Sequence, residues 1–267
     1  MDLLTGVVDL PRTFAVIKEG HFVPKANCFK NVNELLVYLE ESSSDKVVLK
    51  PIDGAEGRGV FVVSGKEGDV FLNDQMLTSL EFETFLSTLD DYFISEFIQQ
   101  EEFAQALYAD SLNTIRLLTM VDPITLLAFI AASVFRVGTS LSAPMDNFRR
   151  HGLSVAIDEK TGELGKVARI PINGRVHWFE KHPDTGMALM RQVIPHWSLV
   201  KERVLYVSDF IYLSKDIKYV GWDVVLTDSG ILILEGNSVP GVSLHQVHQP
   251  LLIKPKVKRF YDYYGVV

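Results

Sequence analysis

The chain has 267 residues and a mass of 30.0 kDa, and 47% hydrophobic with 22% charged residues is the make-up of a globular protein of one or two domains. A formal net charge of −8 denies it the electropositive footprint of a nucleic-acid binder. One cysteine, Cys28, excludes an internal disulfide and fits a reducing, cytoplasmic setting. No Cys/His cluster has zinc spacing, and the first residues lack the basic and apolar regions of a signal peptide. The most apolar run, residues 126–134, is far shorter than the roughly 20 residues of a membrane helix and reads as a buried strand.

In chain order, Val32, Leu35, Leu36 and Leu39 fall at helical spacing behind an Asn31 cap, which predicts a helix over 31–41. A strand over 46–51, a glycine-rich loop at 54–59 and a strand over 60–63 read as a hairpin, not as a strand-to-helix phosphate loop. A short helix over 80–88 and a strand over 92–98 follow. Residues 113–121 and 126–137 form an apolar strand pair turning at Asp122-Pro123. Further hairpins are expected over 153–158 with 165–170 and over 219–226 with 231–235, and a helix over 194–213 lies between them. Strands in antiparallel pairs with helices between them define an α+β pattern.

The last hairpin, GWDVVLTDSGILILEGNSVPG, carries the densest chemistry. Asp228-Ser229-Gly230 suits a three-residue loop with Gly230 left-handed, and centring the hairpin on Ser229 sets Asp223 opposite Glu235. Asn237, two residues on, points to the same face. Carboxylates so placed repel. A hard cation such as Mg²⁺, which takes oxygen ligands and keeps sites for phosphates, relieves that repulsion. A solvated acidic strand end is the alternative, and the apolar run from Ile231 to Leu234 argues against it.

Lys50 ends an apolar strand in VVLKPIDGAEGRGVFVV, with three glycines and Arg58 after it. An ammonium beside a flexible glycine hairpin offers charge and backbone N–H groups to phosphates, although a charged surface hairpin would read the same way. In FISEFIQQ, Glu96, Phe97 and Ile98 stand at a strand exit, where backbone groups can meet an adenine edge. In SLNTIRLLTM, Asn113 precedes and Arg116 enters an apolar strand. A buried guanidinium needs a partner, here either a phosphate or one of the chain's own carboxylates. Asp146, Asn147, Arg149, Arg150 and His151 make a polar cluster before a strand, and His182 lies in KHPDTG; surface loops would supply both.

Taken in order, VLKPIDGAEGRGV, SEFI, LNTIRLLT, DNFRRHGLSVAID, HPDTG, IPHW and the last hairpin resemble the ATP-grasp superfamily. They are most similar to the sugar-transfer-associated ATP-grasp proteins related to α-L-glutamate ligases. The resemblance implies an α+β fold of two subdomains whose antiparallel sheets sandwich a nucleotide, over residues 1–98 and 99–267. It implies ATP with Mg²⁺ or Mn²⁺, and a ligase that activates a small carboxylate as an acyl-phosphate for attack by an amine or hydroxyl. Cell-surface polysaccharide or peptide modification is the implied setting, without nucleic acid or membrane insertion.

By the same resemblance, Lys50 matches the phosphate-binding lysine, and Gly57, Arg58 and Gly59 match the mobile loop. Glu96-Phe97-Ile98 matches the adenine hinge, and Glu102 the ribose ligand. Arg116 resembles the arginine that stabilises transferred phosphoryl charge, and Asp223, Glu235 and Asn237 match the metal ligands. Asn113, Asp146, Asn147, Arg149 and His182 are the expected substrate contacts. The family's upstream lysine and N-terminal domain have no counterpart in this sequence; Lys18 and Lys25 are the lysines that could substitute, neither in the family's context. A truncated product, a partial enzyme completed by a partner chain or oligomer, and a degenerate nucleotide binder are the three expectations that follow. A non-catalytic nucleotide-binding module and a phosphotransferase remain the alternatives.

Overall fold

Alternating apolar residues set the strands, and turn residues decide how they pair. The computed structural model describes residues 2–23, 28–41, 46–53, 58–66, 68–172 and 175–265. The chain divides into two compact units, Pro11–Ile98 and Met1–Leu10 with Gln99–Val267. The first residues belong with the second unit because Leu4 enters its core and the Ile233 N–H donates to the Asp9 carbonyl at 3.0 Å.

The first unit holds β1 (Thr13–Lys18), β2 (His21–Phe22), α1 (Val32–Glu41), β3 (Lys46–Pro51), β4 (Phe61–Lys66), β5 (Asp69–Leu72), β6 (Gln75–Leu77), α2 (Ser79–Ser87) and β7 (Tyr92–Glu96). Its strands form one antiparallel sheet in the order β2-β1-β7-β3-β4-β5-β6. Asn31 caps α1 as expected, its Oδ1 accepting from the Glu34 N–H at 3.0 Å. A Thr78–Glu81 capping box starts α2. Val47, Leu49 and Ile94 pack against Leu35, Leu39, Phe82 and Leu86 of the helices. Strand alternation therefore turns Val48 and Lys50 to the other face of the sheet, opposite Ser95 and Phe93 of β7.

The second unit holds α3 (Glu102–Leu107), β8 (Thr114–Val121), β9 (Ala128–Val137), β10 (Leu153–Ile157), β11 (Leu164–Ile172), β12 (Arg175–Phe179), α4 (Trp197–Lys215), β13 (Tyr219–Thr227), β14 (Gly230–Asn237), α5 (Ser243–Gln246) and α6 (Pro255–Tyr264). Its antiparallel sheet runs β12-β11-β10-β9-β8-β13-β14. One face packs on α4, whose Val200, Val204, Val207 and Ile211 meet Ile115, Leu117, Phe135 and Trp222. Each such side chain is worth roughly 1.5–3 kcal/mol when fully buried. The buried Trp222 indole stays satisfied by donating to Thr119 and Ser208 hydroxyls at 3.0 and 2.9 Å. On the opposite face α6 covers Leu118 and Met120 with Val257 and Phe260. No helix among the described residues is long and apolar enough to cross a membrane.

Candidate functional site

The site begins on the β13–β14 hairpin. Asp223 faces Glu235 across the strands, and Gly221 faces Asn237. The pairing follows from a different turn than the sequence suggested. Thr227 pairs with Gly230, so Asp228-Ser229 is a two-residue loop, and Gly230 (φ 133°) begins β14 instead of sitting in the loop. The register then shifts between Asp223 and Val224, because Val224 faces Ile233 and Leu234 is an extra residue. This bulge restores the Asp223–Glu235 pairing. Two glycines let the strand ends close: a Cβ on Gly236 would lie 2.6 Å from the Trp222 ring, and one on Gly221 2.6 Å from Pro240.

Asp223 is 3% exposed and both its oxygens are held by arginines. Arg116, its cross-strand partner on β8, binds it bidentately, through Nε to Oδ1 and through Nη2 to Oδ2 at 2.7 Å. Arg136 of β9 donates from Nη1 to Oδ2 at 2.8 Å and from Nη2 to Asp146. Asp146, buried at 2% exposure, also accepts from the Thr114 hydroxyl at 2.5 Å. Of the two partners the residues left open for Arg116, the structure shows a carboxylate.

Burial works against the Asp223 charge, yet Arg136 and then Arg116 overcome it and hold its carboxyl well below the usual range. Asp146 shifts the other way: burial raises it, with Arg136 opposing. Glu235 is raised as well, by desolvation first and then by the Asp223 charge. As a residue Glu235 is exposed, and the Asn237 amide donates to its Oε1 at 2.8 Å. Hard oxygen donors on an exposed strand end fit Mg²⁺ or Mn²⁺. Asp223 could join them only through lone pairs the arginines leave. Among the described residues, no group of three or more Asp, Glu, His and Cys side chains forms a ready metal cage.

The remaining expected residues separate by surroundings. In the first unit Lys50 stands on the face away from the helices. Gly59 has φ 72°, a conformation that favours glycine, and a Cβ there would sit 2.5 Å from the Tyr92 hydroxyl. Gly57 lies outside the described residues, and Arg58 opens the turn before Gly59. The Glu96 N–H donates to Arg12 O at 2.9 Å and the Phe97 N–H to Lys46 O at 3.2 Å, fixing the strand exit that ends at Ile98. Glu102 opens α3 and is exposed.

Asn113 and His182 are tied into the protein. The Asn113 amide donates to Gln100, Ala104 O and Tyr108 O and accepts from the Gly138 N–H. The His182 Nε2 meets Gly138 O at 2.7 Å while Nδ1 accepts from the Asp184 and Thr185 N–H groups. Both therefore pin the loops around Gly138. Asn147 caps the turn holding Arg149, accepting its N–H at 2.8 Å, and Arg149 is exposed beside an apolar groove with Phe148 and Ile170.

Sequence reasoning missed Arg136, although it stands in an otherwise apolar strand just as Arg116 does. It also missed His245 and His248, whose three-residue spacing after the hairpin was a usable signal.

Two antiparallel sheets with helices packed on them, the second ending in this Asp–Glu–Asn hairpin, make the ATP-grasp fold. The chain belongs to the sugar-transfer associated ATP-grasp family, whose model matches residues 3–260. Among curated proteins, no sequence matches that of this chain. Solved structures similar to it include N5-carboxyaminoimidazole ribonucleotide synthetase in its ADP complex, at 11% identity and TM-score 0.47, covering 93% of this chain and 45% of that one. D-alanine–D-alanine ligase from Bacillus anthracis is similar at 14% identity and TM-score 0.42, over 99% and 60%. The ATP-grasp ligase PsnB, complexed with a phosphomimetic variant of its minimal precursor, Mg and ADP, is similar at 11% identity and TM-score 0.38, over 92% and 49%. The chain thus spans about half the length of these structures.

Proposed function

We propose that the chain binds ATP with Mg²⁺ and ligates a carboxylate to an amine or hydroxyl, acting in the cytoplasm on small molecules. The observation that carries this reading is Glu235, set opposite Asp223 and hydrogen-bonded by Asn237 at the end of β14, in a chain of the ATP-grasp family. Bound there, the metal would supply charge neutralisation at the phosphates. Glu235 and Asn237 are its main ligands in this reading, and Asp223 gives the negative potential behind them. Lys50 and the Arg58–Gly59 turn take phosphates, and the Glu96–Ile98 exit takes the adenine edge. The γ-phosphoryl group passes to the carboxylate with loss of ADP, and the nucleophile then attacks the acyl carbon and expels phosphate. Arg116 and Arg136 contribute fixed positive charge at that point without reorganising.

A second reading follows from one observation. Both Asp223 oxygens are engaged by arginines, which suits a module that binds nucleotide without turning it over. An ADP-release assay with Mg-ATP separates the two. Release that requires both a carboxylate and a nucleophile supports the ligase, a phosphorylated product marks a phosphotransferase, and binding without release marks the module.

A further inference from the structure

The charged row does not end at Arg116. In register across β14, β13, β8, β9 and β10 lie Glu235, Asp223, Arg116, Val134 and Ala156. Adjacent strands are about 5 Å apart, so Val134 and Ala156 stand one and two strands beyond Arg116 on the same face. There they floor a cavity of about 290 Å³, walled by His245, His248, Glu159 and Lys254. A liquid water occupies about 30 Å³, so the volume suits a small molecule better than a single bridging water.

The polar groups of this cavity define what could fill it. His245 is 3% exposed, and neither ring nitrogen has a hydrogen-bond partner among the described residues. Burial first, then Arg116 and His248, push its pKa down to about 3, so the ring is neutral and presents one donor and one acceptor. The Ser154 hydroxyl donates to Leu244 O at 2.8 Å and lies 3.0 Å from His248 Nε2. Nε2 is therefore the donor of that pair, which leaves Nδ1 as a buried acceptor without a partner among the described residues. Burial lowers the His248 pKa to about 4. Lys254 is balanced by Glu159 at 2.5 Å and also donates to Ala131 O at 2.9 Å. The lining carries no unbalanced charge. Carboxylates only accept and ammonium groups only donate, whereas a hydroxyl does both.

We propose that this cavity is the acceptor subsite and takes a neutral, hydroxyl-rich molecule of saccharide type, read by His245, His248 and Lys254. Its role as acceptor rests on the ligase reading; its occupancy does not. The test is saturation-transfer NMR on the full chain without nucleotide. Glucose, xylose and galactose serve as neutral ligands, and glucuronate and ethanolamine as charged controls. Saturable binding of at least one neutral saccharide, with the controls weaker, is expected. His245→Leu, which strands ligand hydroxyls, and Ala156→Leu, which fills the floor, should each weaken it by about tenfold or more. Mg-ATP stabilisation should survive in both variants. Absence of saccharide binding by the wild-type chain (a water-filled cavity only) overturns the proposal, as does stronger binding of a charged control or indifference to both substitutions. Saccharide binding without any Mg-ATP stabilisation would keep the subsite and remove the ligase reading. Mg-ATP stabilisation without saccharide binding would do the reverse.

Discussion

Asp223 and Glu235 face each other across two strands, yet their neighbours give them opposite energetic roles. Asp223 pairs with Arg116 and shares Arg136 with Asp146, so Asp223→Asn takes the carboxylate from Arg116 and leaves Arg136 with Asp146 alone. Breaking a buried pair in this way costs about 3–5 kcal/mol, which urea unfolding of the apo protein would register. Desolvation and then the Asp223 charge both disfavour an ionised Glu235, so Glu235→Gln should leave the apo protein equally stable or more stable by about 0.5 kcal/mol. The pH dependence has a definite sign for each. The lowered Asp223 contributes stability that is present above about pH 4, the unfolded aspartate value, and is lost as pH falls below it. The raised Glu235 begins to cost stability as pH rises past the unfolded glutamate value, and the full cost is present once pH exceeds its folded pKa. Any advantage of Glu235→Gln should thus be present at pH 7 and vanish below about pH 4, where glutamate is protonated in both states. Melting curves of wild type and variant across that range would check it; an advantage persisting at low pH would mean the residue acts through packing instead.

The terminal hairpin shows what was legible in the sequence and what was not. The opposition of Asp223 and Glu235 could be read from the residues, but the three-residue loop used to derive it is a two-residue loop corrected by a bulge at Leu234. A bulge leaves no mark on local composition, because it is decided by how Trp222, Gly236 and the neighbouring strand pack. Gly236→Ala would push a methyl into the Trp222 ring 2.6 Å away, and such overpacking costs about 1–3 kcal/mol. Urea unfolding would measure this, and a neutral result would mean the hairpin end yields to the added methyl. Strongly periodic elements such as α1, β3, β8 and α4 could be read within a few residues. The hairpins β1–β2 and β5–β6 could not, although Glu19-Gly20 and Asn73-Asp74 take the positive φ angles of tight turns. Their strands are two to six residues long, too short for alternation to stand out. At the site, charged residues in apolar strands were the readable signal. The pairing of Arg116 with Asp223 was not, because register between β8 and β13 joins residues 107 apart in the chain.

At the scale of the whole molecule, the proposed reading gives phosphates to Lys50 and the Gly59 turn of the first unit, and the metal to Glu235 and Asn237 of the second. A ligand that binds only the folded state raises its stability by RT ln(1 + [L]/Kd), so Mg-ATP should raise the melting temperature. Lys50→Ala should leave the apo protein folded, because Lys50 lies on the sheet face away from the helical core, while reducing the shift. The most direct test of the account is this Mg-ATP shift measured side by side for wild type and Glu235→Gln at pH 7. The account predicts a clear wild-type shift, an apo variant at least as stable, and a shift that largely disappears with the Glu235 charge. A variant that is less stable as apo protein and keeps the full Mg-ATP shift would contradict it.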